Sequence, residues 1–308
     1  MREYRFDDRV AVVTGAGRGL GRAYALLLAA RGASVVVNDP GFSQRGENAD
    51  SAPAADTVAA IMSAGGNAVV CTESVATESG GQAIVETALE SYGRLDIVIH
   101  NAGNVRYGNL RELTHDDFDA VLDVHLRGAF NVVRPAFPVM ADANYGRVVL
   151  TSSIGGLYGN IGVANYAAAK AGIIGFSNVI AIEGAEQGVR SNVIVPAAVT
   201  RLSEGRDTSS FPDMDPELIA PTVGWLAHET CSVSGDILVA VAGRVARAYV
   251  AETRGIHRPK WSIEEVASEI DAIRDTREPW LLDPVRDGHN EHLRKSFALA
   301  TEAIHHVG

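Results

Sequence analysis

Short β-branched runs alternate with longer stretches of helical spacing along most of the chain. VAVVT (10–14), SVVVN (34–38), 67–71, 97–100, 147–152, 191–195 and 236–241 predict seven strands. Helices are expected over 19–31, 55–64, 81–92, 114–140 and 166–187. Gly32 ends the first of these and Gly65-Gly66 the second. Thr114 caps the fourth, with Asp116 and Asp117 in its first turn. The strand runs are apolar almost throughout, which indicates a sheet covered on both faces. Strict alternation of strand and helix predicts a parallel, doubly wound α/β sheet of Rossmann type, with helices on both faces and right-handed crossovers.

Two segments interrupt the rhythm. FSQRGENADSAP (42–53) reads as a polar loop after the second strand. The stretch 201–221 is rich in Asp, Ser and Pro and reads as a substrate loop or lid, with disorder as the alternative. It offers Leu202, Phe211, Met214, Leu218 and Ile219 beside Arg201 and Arg206. Beyond Val241 the chain turns Arg- and Glu-rich. The expectation is therefore one dinucleotide-binding and catalytic domain over 1–241. Residues 242–308 would form an extension that packs on the core or on a partner subunit.

Composition narrows the class. The chain has 308 residues and a net charge of −11, which disfavours nucleic acid and anionic membrane as partners. No apolar run reaches the length of a membrane span. The first nine residues are polar and carry no leader pattern, so a cytoplasmic location is expected. Cys71 and Cys231 stand far apart and match no metal or redox motif; no metal is expected.

Three groups of residues carry chemistry. Thr14-Gly15-Ala16-Gly17-Arg18-Gly19-Leu20-Gly21 follows the first strand and opens a helix. Glycines there allow a tight turn and close approach to a pyrophosphate, which the helix N-terminus attracts. A tight turn without a ligand is the alternative. Asp39 ends the second strand and suits the ribose hydroxyls of NAD, repelling the extra phosphate of NADP; Arg18 pulls the other way. Asn101-Ala102-Gly103, after the fourth strand, lets the chain pass close to a cofactor. Finally, Tyr166 and Lys170 are spaced i, i+4 on one helix face, with Ser153 upstream. An ammonium near a phenol favours the phenolate, which can exchange a proton with an alcohol while Ser153 holds the substrate oxygen. A surface i, i+4 pair is the alternative.

Together these motifs resemble the classical short-chain dehydrogenase/reductases over about 10–241. The resemblance implies that Ser153, Tyr166 and Lys170 are catalytic. It implies cofactor contacts at Gly15, Arg18, Gly19, Leu20, Gly21, Asp39, Ser74, Val75, Asn101, Ala102, Gly103, Tyr166, Lys170, Pro196, Val199 and Thr200. Within the family, GRAYALLLAARGASVVVNDPG, VHLRGAFNVVRPAF, TSSIGGLYGNIGVANYAAAK and AIEGAEQGVRSNVIVP are similar to the (3R)-hydroxyacyl-CoA dehydrogenase domain of peroxisomal multifunctional enzyme type 2 and its standalone bacterial relatives. That similarity implies NAD, an acyl-CoA thioester substrate, a standalone dehydrogenase and a homodimer or homotetramer. A free steroid or terpenoid alcohol, and a non-catalytic NAD-binding scaffold, are the alternatives. The sequence departs from the wider family at His125, where asparagine is usual, and at Pro196-Ala197, where Pro-Gly is usual. A packing role for His125 is the expectation, against a catalytic one.

Overall fold

A computed structural model of the chain describes residues 3–43, 50–200 and 210–305. They divide into two compact units, up to Arg247 and from Ala248 onward. The first is built on an eight-stranded sheet: β1 (Val10–Thr14), β2 (Ser34–Asn38), β3 (Asn67–Cys71), β4 (Ile97–His100), β5 (Gly146–Thr151), β6 (Val189–Ala197), β7 (Ile237–Val241) and β8 (Arg244–Ala248). Their spatial order is β3-β2-β1-β4-β5-β6-β7-β8. Every pairing from β3 through to β7 is parallel.

The order runs one way from β1 to β3 and the other way from β4 to β7. Chains leaving the C-terminal ends of β1 and β4 therefore diverge, and a crevice opens between them. Helices α1 (Gly19–Ala30), α2 (Ala52–Ser63), α3 (Glu78–Tyr92), α4 (His115–Leu122), α5 (Gly128–Asp142), α6 (Ile154–Tyr158), α7 (Ala164–Gly184) and α8 (Ala220–Ala227) surround the sheet. β1 and β4 are buried along their whole length, which explains the absence of polar alternation in their sequences.

Beside β8, an eighth strand in the stretch expected as extension, three elements differ from the sequence expectation. The long helix expected over 114–140 is two helices, α4 and α5, joined by the π-turn Asp123–Arg127. A π-turn inserts a residue without changing composition, so periodicity alone does not reveal it. The stretch 201–221 is not a loop to its end. It closes with a 3₁₀ turn, Pro216–Leu218, and with the start of α8. Pro221 sits in the first turn of α8, where a missing N–H is tolerated. Gly224 lets α8 approach Leu27 of α1. Residues 201–209, with Arg201, Leu202 and Arg206, lie outside the described residues. Likewise α2 starts at Ala52, inside the stretch expected as loop, with Pro53 in its first turn.

The second unit contains β9 (Ala251–Glu252) paired antiparallel with β10 (Trp280–Leu281), and helices α9 (Ile263–Ser268), α10 (Ile270–Ile273) and α11 (Gly288–His305). Ser262 and Glu265 cap α9 reciprocally in a capping box. None of the described residues of this unit is fully buried. Among the described residues, no helix is long and apolar enough to cross a membrane.

β7 and β8 are joined by Ala242-Gly243, at φ of 47° and 77°. Two consecutive left-handed residues are what a tight type I′ hairpin requires. Alanine is strained there, whereas asparagine tolerates the conformation. Ala242→Asn is expected to raise the unfolding free energy by about 0.5–1 kcal/mol. Denaturant unfolding of the two proteins checks this; an equal or lower midpoint contradicts it.

Candidate active site at the strand-order reversal

The glycine turn leaves β1 directly into the crevice. Gly15 has φ of 64°, and a Cβ placed on it would lie 2.8 Å from Ala102 Cα. The turns after β1 and β4 thus touch backbone to backbone. Gly21 faces back on the same turn, where a Cβ would meet the Gly15 carbonyl oxygen at 2.2 Å. Arg18, exposed, precedes α1 without a side-chain cap, and the first turn of α1 has no acidic residue. Its amide groups are open and its dipole end is positive, which fits a phosphate.

Asp39 braces this turn from the end of β2. Its carboxylate accepts the Gly17 N–H at 2.9 Å and the Gly41 N–H at 2.7 Å. A carboxylate has about four acceptor positions, so two remain for ribose hydroxyls. Thr57 of α2 donates to the Gly17 carbonyl at 3.2 Å from the other side. The residues present therefore fit a nicotinamide dinucleotide. Val75 is buried, and its carbonyl accepts from Asn131 of α5 at 2.9 Å; Ser74 is half-buried beside it. Pro196 lies within β6, paired with Ala240. Val199 donates its N–H to the Met214 carbonyl, and the Thr200 side chain comes within 3.3 Å of a Cβ built on Gly19. Leu20 packs against the core beneath α1.

The crevice continues to Ser153, Tyr166 and Lys170. Ser153 caps α6, accepting the Gly155 N–H at 3.1 Å and keeping its own proton for another acceptor. Tyr166 lies in the first turn of α7 and Lys170 one turn on. A Cβ built on Gly155 would be 3.6 Å from Ser153 Oγ and 3.8 Å from two ring carbons of Tyr166. Lys170 Nζ donates to the Thr151 carbonyl at 2.5 Å and lies 5.6 Å from the centre of the Tyr166 ring. The structure brings the three side chains into one site.

Their ionisation is governed by burial. The Lys170 ammonium is pushed down to about 7 by desolvation. Burial raises the Tyr166 phenol above its ordinary value, with the nearby Ser153 hydroxyl opposing. The lowering expected from an adjacent ammonium is not seen: burial, not Lys170, governs the Tyr166 phenol.

Several buried polar residues hold this arrangement; Thr14 stood in the glycine motif and His125 as a departure from the family pattern, whereas no motif singled out Asn165 or His100. Asn165, fully buried, donates to the carbonyls of Arg106 and Asp117 and accepts the Tyr166 N–H at 2.8 Å. It sets where α7 begins relative to α4. His125 sits in the π-turn, 1% exposed, with its ring edge-on to Tyr166 at 5.2 Å. Burial and the Lys170 charge keep it neutral, its pKa well below the usual imidazole value. Thr14 and His100 end β1 and β4 as buried polar residues. The available signal was a polar residue closing each apolar run, VAVVT and IVIH.

Comparison with known proteins agrees with this architecture. The family model described as short chain dehydrogenase matches residues 9–208. Peroxisomal multifunctional enzyme type 2 of Drosophila melanogaster is 46% identical over 252 residues, 82% of this chain and 42% of that enzyme. A short-chain type dehydrogenase/reductase of Mycobacterium tuberculosis is 43% identical over 271 residues, 87% of this chain and 95% of that protein. The crystal structure of a short chain dehydrogenase from Mycobacterium avium is similar, with a TM-score of 0.77 at 38% identity, covering 89% of this chain and 97% of that one. The chain thus spans less than half of the multifunctional enzyme and nearly all of the mycobacterial proteins. With a family match over most of the sheet and an open glycine turn at the strand-order reversal, the chain belongs to the short-chain dehydrogenase family of oxidoreductases.

Proposed function

We propose that the chain is an NAD-dependent dehydrogenase that oxidises the hydroxyl of a (3R)-3-hydroxyacyl-CoA thioester to the ketone. The observation that carries the reading is the gathering of Ser153, Tyr166 and Lys170 beside the glycine turn. Ser153 donates a hydrogen bond to the substrate oxygen and fixes its direction. Tyr166, as phenolate, takes the hydroxyl proton. Lys170 stabilises that phenolate; a phenolate in turn favours the ammonium, so the two ionise as a pair. When bound, the nicotinamide supplies the acceptor for the hydride that leaves the carbinol carbon.

Gly15, Arg18, Gly19, Leu20 and Gly21 would hold the pyrophosphate. Asp39 would hold the adenine ribose, with Ser74 and Val75 beside the adenine. Asn101, Ala102 and Gly103 would flank the cofactor, with Pro196, Val199 and Thr200 at its nicotinamide end. Asp39 supports NAD over NADP, since its carboxylate repels a phosphate on that ribose. The thioester rests on the segment similarity to the multifunctional enzyme. An exposed apolar rim of Tyr107, Leu110, Tyr158 and Ile161 suits an acyl chain. The same rim suits a steroid or terpenoid alcohol, which is the second reading. The unburied apolar side chains of the second unit, among them Val250, Ile263 and Phe297, support assembly as a homodimer or homotetramer.

Two outcomes are expected. The protein turns over a (3R)-thioester faster than its (3S) form or a free steroid alcohol, and faster with NAD than with NADP. Tyr166→Phe lowers kcat by about 10²–10⁴-fold and still binds NAD. No turnover of any thioester rejects the substrate, and full activity of the variant rejects the role of Tyr166.

A third outcome concerns pH. Lys170 has a folded pKa of about 7 against an ordinary value of 10.5. Between these values the unfolded chain binds a proton that the folded chain lacks, so stability rises with pH across this window. Unfolding free energies measured from pH 7 to 10 are expected to rise less steeply in Lys170→Met. Identical slopes contradict the burial of a titrating amine at this position.

A further inference from the structure

A chain of contacts runs from the turn after β1 to the tyrosine: hydrogen bonds link Thr14, His100 and the His125 carbonyl, and the His125 ring meets Tyr166 edge-on. It starts at Thr14, the last residue of β1. Thr14 Oγ1 accepts the N–H groups of Asn101 and Ala102, each at 3.1 Å. With both lone pairs used, the hydroxyl has only its proton to give. Its partner is His100 Nδ1, at 3.2 Å. That nitrogen must then be unprotonated, and the ring proton must sit on Nε2. His100 Nε2 lies 3.1 Å from the backbone carbonyl of His125, which can only accept. Both ends of the ring thus demand the same tautomer. His100 is 1% exposed, and burial with the Lys170 charge pushes its pKa down to about 3, so it stays neutral.

The carbonyl it meets belongs to the π-turn Asp123–Arg127, where the regular helical ladder is broken. The ring of the same residue is the wall against Tyr166. His125 Nε2 meets the backbone of Asn104, with the carbonyl oxygen at 2.8 Å and the N–H nitrogen at 3.2 Å. A Cβ on Gly103 would be 2.5 Å from His125 Cε1. The ring therefore fills the space between the turn after β4 and the tyrosine, and its position follows the π-turn backbone.

We propose that His100 is a positioning residue for Tyr166, acting through its Nε2–H bond to the His125 carbonyl, which pins the π-turn and sets the His125 ring against the tyrosine. The proposal rests on the reading of Tyr166 as the proton acceptor. It also ties the turns proposed to hold the cofactor to the reacting side chain, because Thr14 anchors both the turn after β4 and His100.

The two bonds of His100 are separable by side-chain length. Asparagine places a polar atom where Nδ1 sits, keeping the Thr14 bond and losing the His125 bond. Glutamine places an N–H where Nε2 sits and does the reverse. His100→Asn is expected to lower kcat by about 10–100-fold, the scale of a small misplacement of reacting groups. His100→Gln is expected to stay within about threefold of the unsubstituted protein, and KM for NAD within about threefold in both. Equal losses in the two variants, or an unchanged kcat in His100→Asn, overturn the proposal. A nitrogen-15 histidine spectrum of the cofactor-free protein gives a readout independent of substrate. His100 is expected as the neutral Nε2–H tautomer at pH 7; an Nδ1–H or charged ring there overturns the chain of contacts. If the unsubstituted protein oxidises no alcohol tested, the reading of Tyr166 fails, while the spectrum still judges the chain of contacts.

Discussion

The backbone contact between Gly15 and Ala102 is the constraint on which the site depends. β1 and β4 are neighbours in the sheet, and parallel strands lie only about 4.8 Å apart. The turns that leave their C-terminal ends must pass each other before diverging. A side chain at Gly15 would meet the Ala102 backbone, and one at Gly21 would meet the Gly15 carbonyl. With glycine at both positions the turn stays tight, α1 starts close to the sheet edge, and its open amides face the crevice. Asp39 and Thr57 then brace the turn from β2 and α2.

The strands were legible because parallel strands buried on both faces leave continuous apolar runs, as in VAVVT and IVIH. The i, i+4 spacing of Tyr166 and Lys170 was legible for the same local reason, whereas the cap that Ser153 places on α6 was not read. What was hidden depends on partners distant in sequence. Asn165 acts on the carbonyls of Arg106 and Asp117, and His100 on the carbonyl of His125. No local pattern marks such a bond. The π-turn was hidden because an extra residue leaves composition unchanged, and α8 because Pro221 and Gly224 resemble loop punctuation. β8, the eighth strand of the sheet, reads as part of an Arg-rich tail. Arginines at Arg244 and Arg247 suit the edge of a sheet, where charge discourages further strand pairing.

Burial sets the electrostatics of the crevice. His100, His125 and Lys170 are all nearly inaccessible, and both imidazoles are held neutral in part by the lysine charge. Both rings are neutral, and Lys170 Nζ lies 5.6 Å from the centre of the Tyr166 ring. The Lys170 ammonium is held by the Thr151 carbonyl rather than by a carboxylate. A carbonyl does not cancel the ammonium charge, and low surrounding polarity strengthens its interactions.

The proposed activity carries a carbon-bound hydrogen from an alcohol to a nicotinamide in this crevice. Tracing deuterium tests it most directly. A (3R)-3-hydroxyacyl-CoA labelled with deuterium at C3 is incubated with NAD, and the reduced cofactor is weighed by mass spectrometry. Reduced cofactor that carries the label is expected. Reduced cofactor without deuterium, or no reduced cofactor with any labelled secondary alcohol, would contradict it.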